Sequence, residues 1–329
     1  MNKLFDVVVY DAGSLNGETL LALLDERVFP VGSLYAIAEN PEPDAAVSFQ
    51  EQDVDVLKAE GFDFVDADLL ILPAGCKASY ELVSRATESG CLVIDGRPGS
   101  QAGPLMMPGI NEDQLDSARE NKIVVVPSSP AALMLPVLKP LEEALGIDSV
   151  SVTVCQSVSD LGNDGINELR KQTIELLNGK PVSGGRMAFN LLPQVGELDS
   201  NGVSSQEQCI INELVEGLGS EDVRINPTCV RVPVFFGDSL SIQLELDRQV
   251  DAAAVRELLS GVRGVELTTG DDHPTVETVA GNDSIVVGRI RHQTAFAGQL
   301  ALWLVADPVR RTAINTIDMA EILLKDFLK

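Results

Sequence analysis

The opening of the chain constrains its fold more than any other segment. Residues 5–10, FDVVVY, form an apolar run that carries one Asp, and after a glycine-containing turn TLLALLDER places its apolar residues at helical spacing. A run apolar on both faces belongs inside a covered sheet, and a helix directly after it makes a strand–turn–helix unit. Further apolar runs stand at 33–38 (SLYAIA), 68–72 (DLLIL), 92–95 (LVID) and 123–126 (IVVV), with helical patterns between several of them, such as KASYELVSRATES at 77–89. This alternation predicts an α/β, doubly wound, mostly parallel sheet, a Rossmann-like domain over residues 1–128.

A chain of 329 residues has room for roughly two domains. From residue 149 the pattern changes to longer strands with period-two alternation, at 150–157, 229–236 and 239–246, with helices suggested at 164–178, 206–218 and 250–261. Residues 129–306 therefore read as a second, α+β domain with an antiparallel or mixed sheet. The segment 307–328 reads as a long amphipathic helix, and residues 307–329 are assigned back to the first domain. The stretch 183–204 is loop-like, a length that usually serves function or a partner subunit.

With 24 Lys plus Arg against 50 Asp plus Glu, the net charge is −26, which repels nucleic-acid backbones and anionic membrane surfaces. Five widely spaced cysteines and two histidines make neither a zinc pattern nor a disulfide framework. No metal site is expected. The start, MNKLFDVVVYDAG, lacks a signal-peptide pattern, and the longest apolar stretch, Phe296 to Ala306, is far short of a membrane span. The expectation is a reduced, cytoplasmic protein.

Four segments, VPSSPAALMLPVLKPL, CQSVSDLGNDGINEL, CVRVPVFFGDSLS and DPVRRTAINTIDMAEILL, carry a resemblance over nearly the whole chain. In order and spacing they resemble the aspartate-semialdehyde dehydrogenase family. Its members have an N-P-N-C-[ST] segment before a helix ending L-K-P-L, then Q-A-V-S-G-A-G, R-V-P-V-x-x-G-H and a final D-N-x-R-x-G-A-A-x-N helix. The resemblance implies a second domain like the C-terminal domain of glyceraldehyde-phosphate dehydrogenase, which forms a homodimer. The family reaction it implies is NADP-dependent reductive dephosphorylation of aspartyl phosphate through a cysteine thioester.

On that pattern the nucleophile's position holds Ser129 and the base histidine's position holds Asp238. A thiol is already a few per cent thiolate at neutral pH, whereas a serine hydroxyl needs a strong base beside it. A carboxylate of ordinary pKa, about 3.9, is a poor acceptor for that proton. His273, in a polar turn, and His292, near a strand end, read as structural or solvated. Cys155 and Cys229 lie on strands beside Gln156 and Arg231, and alternation is expected to turn each cysteine to the opposite face. The expectation is a catalytically silent homologue, similar to the Usg-type branch of the family that lacks the catalytic residues.

The nucleotide and phosphate positions depart from the family pattern in the same direction. Family members read G-A-T-G-x-V-G in the first turn, where this chain has Asp11-Ala12-Gly13-Ser14-Leu15-Asn16-Gly17. Gly13, Ser14, Leu15 and Asn16 are the positions that would face a dinucleotide; Asp11 adds negative charge there, Ser14 adds bulk, and Gly17 keeps helix–strand packing. After the second strand AENPEPD is acidic where the family offers Ser and Arg to a 2′-phosphate, so no cofactor is expected and NAD or NADP enters by resemblance alone. Glu39 reads either as a ligand to the ribose hydroxyls of NAD or as a solvated turn acid. The family's phosphate arginine falls at Gln101, with Arg97 nearby as a partial substitute; a pocket lysine falls at Asn163, and an E-E-x-K pair at Gln206 and Cys209. Two pocket residues match, Gln156 near the acyl group and Arg231 at the substrate carboxylate, although Arg231 also reads as a partner of Asp238. The partner is expected to be a second copy or an active paralogue. The alternative activity is a residual NAD(P)-dependent oxidoreductase acting on a carboxylated substrate.

Overall fold

The computed structural model describes residues 3–182, 184–248, 250–269, 272–292 and 298–324. The chain divides into two compact units, one built from residues up to Ser128 together with those from Thr312 onward, the other from Ser129 to Arg311.

The first unit runs β1 (Phe5–Tyr10), α1 (Leu15–Glu26), β2 (Val31–Ala38), β3 (Ala46–Phe49), β4 (Gln52–Lys58), β5 (Leu69–Leu72), α2 (Tyr80–Glu88), β6 (Leu92–Asp95), α3 (Leu115–Asn121) and β7 (Ile123–Val125). Its sheet has the order β3-β4-β2-β1-β5-β6-β7 and is parallel except for the β3–β4 hairpin at the edge. The chain starts in the middle, winds outward through β2 and β4, and returns to β5 on the other side of β1. The gap between the carboxyl ends of β1 and β5 is thus the topological switch point, where such sheets bind ligands. The buried runs of β1 and β5 are covered on both faces. Leu20, Leu23 and Leu24 of α1 pack on one face with Ile317 and Leu323 from the last helix, and Leu82, Val83 and Ala86 of α2 pack on the other. Gly17 is fixed by this packing, since a Cβ there would stand 2.5 Å from the Asp11 carbonyl oxygen.

The second unit runs α4 (Ser129–Leu145), β8 (Ile147–Gln156), α5 (Gly162–Leu177), α6 (Ser205–Leu218), β9 (Arg224–Arg231), β10 (Asp238–Leu246), α7 (Ala252–Leu259), β11 (Val265–Leu267), α8 (Val276–Val279), β12 (Ile285–His292) and β13 (Gln299–Ala306), followed by α9 (Pro308–Leu324). Its sheet, β11-β12-β13-β10-β8-β9, is mixed: β8–β9 and β11–β12 are parallel and the other pairs antiparallel. Val150, Val152 and Val154 alternate inward along β8, against the buried side of α4.

Two spans differ from the sequence expectation. The strand anticipated at 229–236 ends at Arg231, because Pro233 has no N–H for the ladder and the chain turns away toward Gly237, at φ 90°. The final helix is described from Pro308 to Leu324; its anticipated extension to 328 lies outside the described residues. Between 184 and 204 there is no helix or strand, only isolated bridges from Leu192 to Arg231 and from Leu198 to Ser204. Among the described residues no helix is long and apolar enough to cross a membrane, and no group of three or more His, Cys, Asp or Glu could hold a metal ion.

Candidate functional site

In the second unit, strand register brings three of the singled-out residues into one row. Ser239 pairs with Cys155 in the antiparallel β10–β8 ladder, so Asp238 stands beside Gln156, which in turn pairs with Arg231 across the parallel β8–β9 ladder. All three are buried, at the end of a face that is otherwise apolar. Ser157 donates to Asp238 Oδ1 through its N–H (2.8 Å) and its hydroxyl (2.9 Å), and that hydroxyl also lies 2.9 Å from Ser159 Oγ. Asp238 Oδ2 and both amide atoms of Gln156 are buried without a hydrogen-bond partner. Ser129 opens α4 next to Pro130, a residue pre-shaped for a first helical turn, and its Oγ is likewise buried without a partner.

Burial pushes the Asp238 carboxyl up to about 7; the two Ser157 bonds and Arg231 oppose the rise, and the nearby charge of Asp160 adds to it. The premise that this carboxyl has ordinary acidity is therefore corrected: its basicity falls in the imidazole range. What is absent is the contact. Ser129 Oγ and Asp238 Oδ2 are both without partners, so neither bonds the other directly, whereas a general base acts within hydrogen-bond reach or through one water.

Arg231 does not bond Asp238. Its Nη1 donates to the Ser157 carbonyl at 2.7 Å and its Nη2 to Asp160 Oδ2 at 2.8 Å, because the 3-10 turn Val158–Leu161 carries Asp160 over the end of β9. Alternation does turn Cys155 away from Gln156, but Cys229 is two residues from Arg231 and shares its buried face, which corrects the expectation for that cysteine. Burial pushes the Cys229 thiol up to about 12, so proximity to the row does not make it a thiolate. Asn163 is exposed at the start of α5; Gln206 has a buried, unpartnered Nε2, and the Cys209 Sγ lies 3.2 Å from Glu213 Oε1. His273 and His292 are both exposed.

The first unit holds a second set of positions, around its switch point. Asp11 adopts φ 52°, a left-handed turn that aspartate tolerates, and burial raises its carboxyl pKa. Ser14 is the N-cap of α1, its Oγ accepting from Gly17 N at 3.1 Å, so one of the donors an anion would meet is already taken. Asn16 donates from Nδ2 to the Ala74 carbonyl at 2.9 Å, tying the turn after β1 to the turn after β5. Gly13 is exposed and Leu15 half-buried. Glu39 is exposed on a cavity of about 400 Å³ lined also by Tyr10, Asn40, Lys58, Glu60 and Arg85. These residues do not fit a dinucleotide pyrophosphate: an acid occupies the turn, a side chain caps the helix, and an amide bridges the gap.

Arg97 is equally engaged. Its Nε and Nη2 hold Asp95 at 2.9 and 2.6 Å, its Nη1 donates to the Ala78 carbonyl, and its guanidinium lies 5.2 Å from the Tyr80 ring centre. Ser100 completes the fully buried Asp95 carboxylate at 2.6 Å. Arg97 is thus engaged by partners within the chain, and Gln101 is exposed. Asp160 and Asp95 were not among the residues singled out from sequence. The available signal was an Asp in the segment Gln156–Gly162, where the family has only small residues after Ser.

Residues 138–311 match the family model described as "Semialdehyde dehydrogenase, dimerisation domain". The chain is 34% identical to "Aspartate-semialdehyde dehydrogenase 2" of Vibrio cholerae, over 99% of this chain and all of that one. It is 37% identical to the "USG-1 protein homolog" of Pseudomonas aeruginosa over the full length of both. The crystal structure of aspartate semialdehyde dehydrogenase II from Vibrio cholerae superposes with a TM-score of 0.94, covering 99% of this chain and all of that one.

Proposed function

The chain belongs to the aspartate-semialdehyde dehydrogenase family, and we propose that it is a catalytically silent member, keeping the fold and pairing as a homodimer through its dimerisation domain. The observation that carries this reading is the pair of unpartnered groups at the family's nucleophile and base positions, Ser129 Oγ and Asp238 Oδ2. An alcohol that touches no base is not ionised, and Cys229, buried two residues from Arg231 on the same strand, is held protonated. The internal partners of Arg97, Arg231 and the α1 N-terminus support the same reading, since groups suited to anions are already satisfied. On this reading the protein acts by binding a ligand, a second copy or an active paralogue, and requires neither NAD nor NADP.

One observation favours a second reading, a residual oxidoreductase: a carboxyl with a pKa of about 7 has the basicity a general base needs. The deciding assay is phosphate-dependent reduction of NAD or NADP by the purified protein with aspartate semialdehyde. No turnover is expected; turnover abolished by Ser129→Ala would establish the residual enzyme instead. Calorimetric titration with NAD and NADP is the companion measurement, with no heat of binding expected.

A further inference from the structure

We propose that Asp160 sets what the Arg231 guanidinium can bind: its carboxylate pairs with the guanidinium from within the chain and excludes carboxylate ligands. The contact is a charge-assisted bond of 2.8 Å from Nη2, and Nη1 of Arg231 donates to the Ser157 carbonyl. A guanidinium is the protein group best matched to a carboxylate, by charge and by its planar fork of donors. Buried and otherwise unpaired it would be costly, so a partner is required. Here the partner is supplied three residues beyond Ser157, on the same 3-10 turn.

The order of exposure gives the direction of the effect. The Arg231 side chain is 6% exposed and that of Asp160 29%, so the acid lies on the solvent side of the base. A carboxylate approaching from solvent meets the more exposed Asp160 charge first and an already ion-paired cation behind it. The buried, uncharged amide of Gln156 and the bare Oδ2 of Asp238 continue the row beyond Arg231. Nothing in that row offers a second positive charge to offset the repulsion. The Arg231 guanidinium is therefore closed to anions, while the neutral hydrogen-bonding groups of the row are unaffected. This exclusion operates whether or not the chain turns over a substrate.

The test is titration of the full-length protein with succinate and, as its uncharged analogue, succinamide. Native protein is expected to bind succinate at least about tenfold more weakly than Asp160→Asn, which keeps the side-chain shape, and Asp160→Ala. The gain should vanish when Arg231→Gln is added, and succinamide affinity should be the same in native and Asp160→Asn proteins. A thermal melt with and without succinate reads the same difference, with a rise in midpoint only in the Asp160 variants, and its cooperative transition reports that each variant is folded. Succinate binding to native protein as tight as to Asp160→Asn, no gain in either Asp160 variant, or a gain that survives loss of Arg231, would each overturn the proposal.

Discussion

Ser157 donates twice to one oxygen of Asp238, through its backbone N–H and its hydroxyl, and leaves the other oxygen bare in a fully buried position. The carboxyl is thereby oriented, yet it is not compensated enough to ionise at its ordinary pH. Its folded pKa, raised to about 7, lies above the unfolded value of about 3.9. The folded chain holds this proton over a pH range in which the unfolded chain has released it. Stability from this group is thus intact below about pH 4, declines as pH rises toward about 7, and is level above that. Asp238→Asn removes the titration while keeping an acceptor for Ser157. Urea unfolding at pH 5 and pH 8 should show native protein losing about 2–3 kcal/mol relative to this variant between the two conditions. Curves that shift in parallel would mean the carboxyl is ionised throughout.

Asp95→Asn should destabilise the first unit by about 3 kcal/mol, read as a lower urea midpoint at unchanged slope. The substitution leaves Arg97 half-buried against Asp95's former site, without the charge that both its Nε and Nη2 now meet. A change within about 0.5 kcal/mol would show that the pair is a surface ornament.

The first turn gives two graded expectations. Ser14→Ala removes the α1 cap and should cost about 1 kcal/mol. Gly17→Ala forces a methyl to within 2.5 Å of a backbone oxygen, which no side-chain motion relieves, and should cost about 3 kcal/mol. Chemical denaturation ranks the two, and a Gly17 variant as stable as native protein would refute the close helix–strand contact.

Restoring the family pair by Ser129→Cys with Asp238→His should not restore phosphate-dependent dehydrogenase turnover. The double variant repairs the nucleophile and base but leaves Arg97 on Asp95, Asn16 on Ala74 and Arg231 on Asp160. Substantial turnover, measured as nicotinamide reduction, would show that these internal partners yield readily to substrate and cofactor.

The elements that fix the fold were legible because their signal is local. The runs of β1, β5 and β7 are apolar on both faces, and only a covered sheet accommodates that. The β3–β4 hairpin was not legible. Its two-residue turn is Gln50-Glu51, both at positive φ, without the Asn or Gly that normally announces such a turn, and β4 is largely solvent-facing. Within the site, the row of Asp238, Gln156 and Arg231 follows from strand alternation and motif spacing. The partner of Arg231 does not, because it depends on how a 3-10 turn carries Asp160 over a neighbouring strand. Nor does the basicity of Asp238, which comes from complete burial rather than from residue type.

The most direct measurement is the intact mass of the protein after incubation with aspartyl phosphate, followed by peptide mapping of any adduct. An alcohol without a base within bonding distance, and thiols held protonated by burial, should leave the mass unchanged. An added aspartyl group on Ser129, or on Cys155 or Cys229, would contradict the silent-homologue reading.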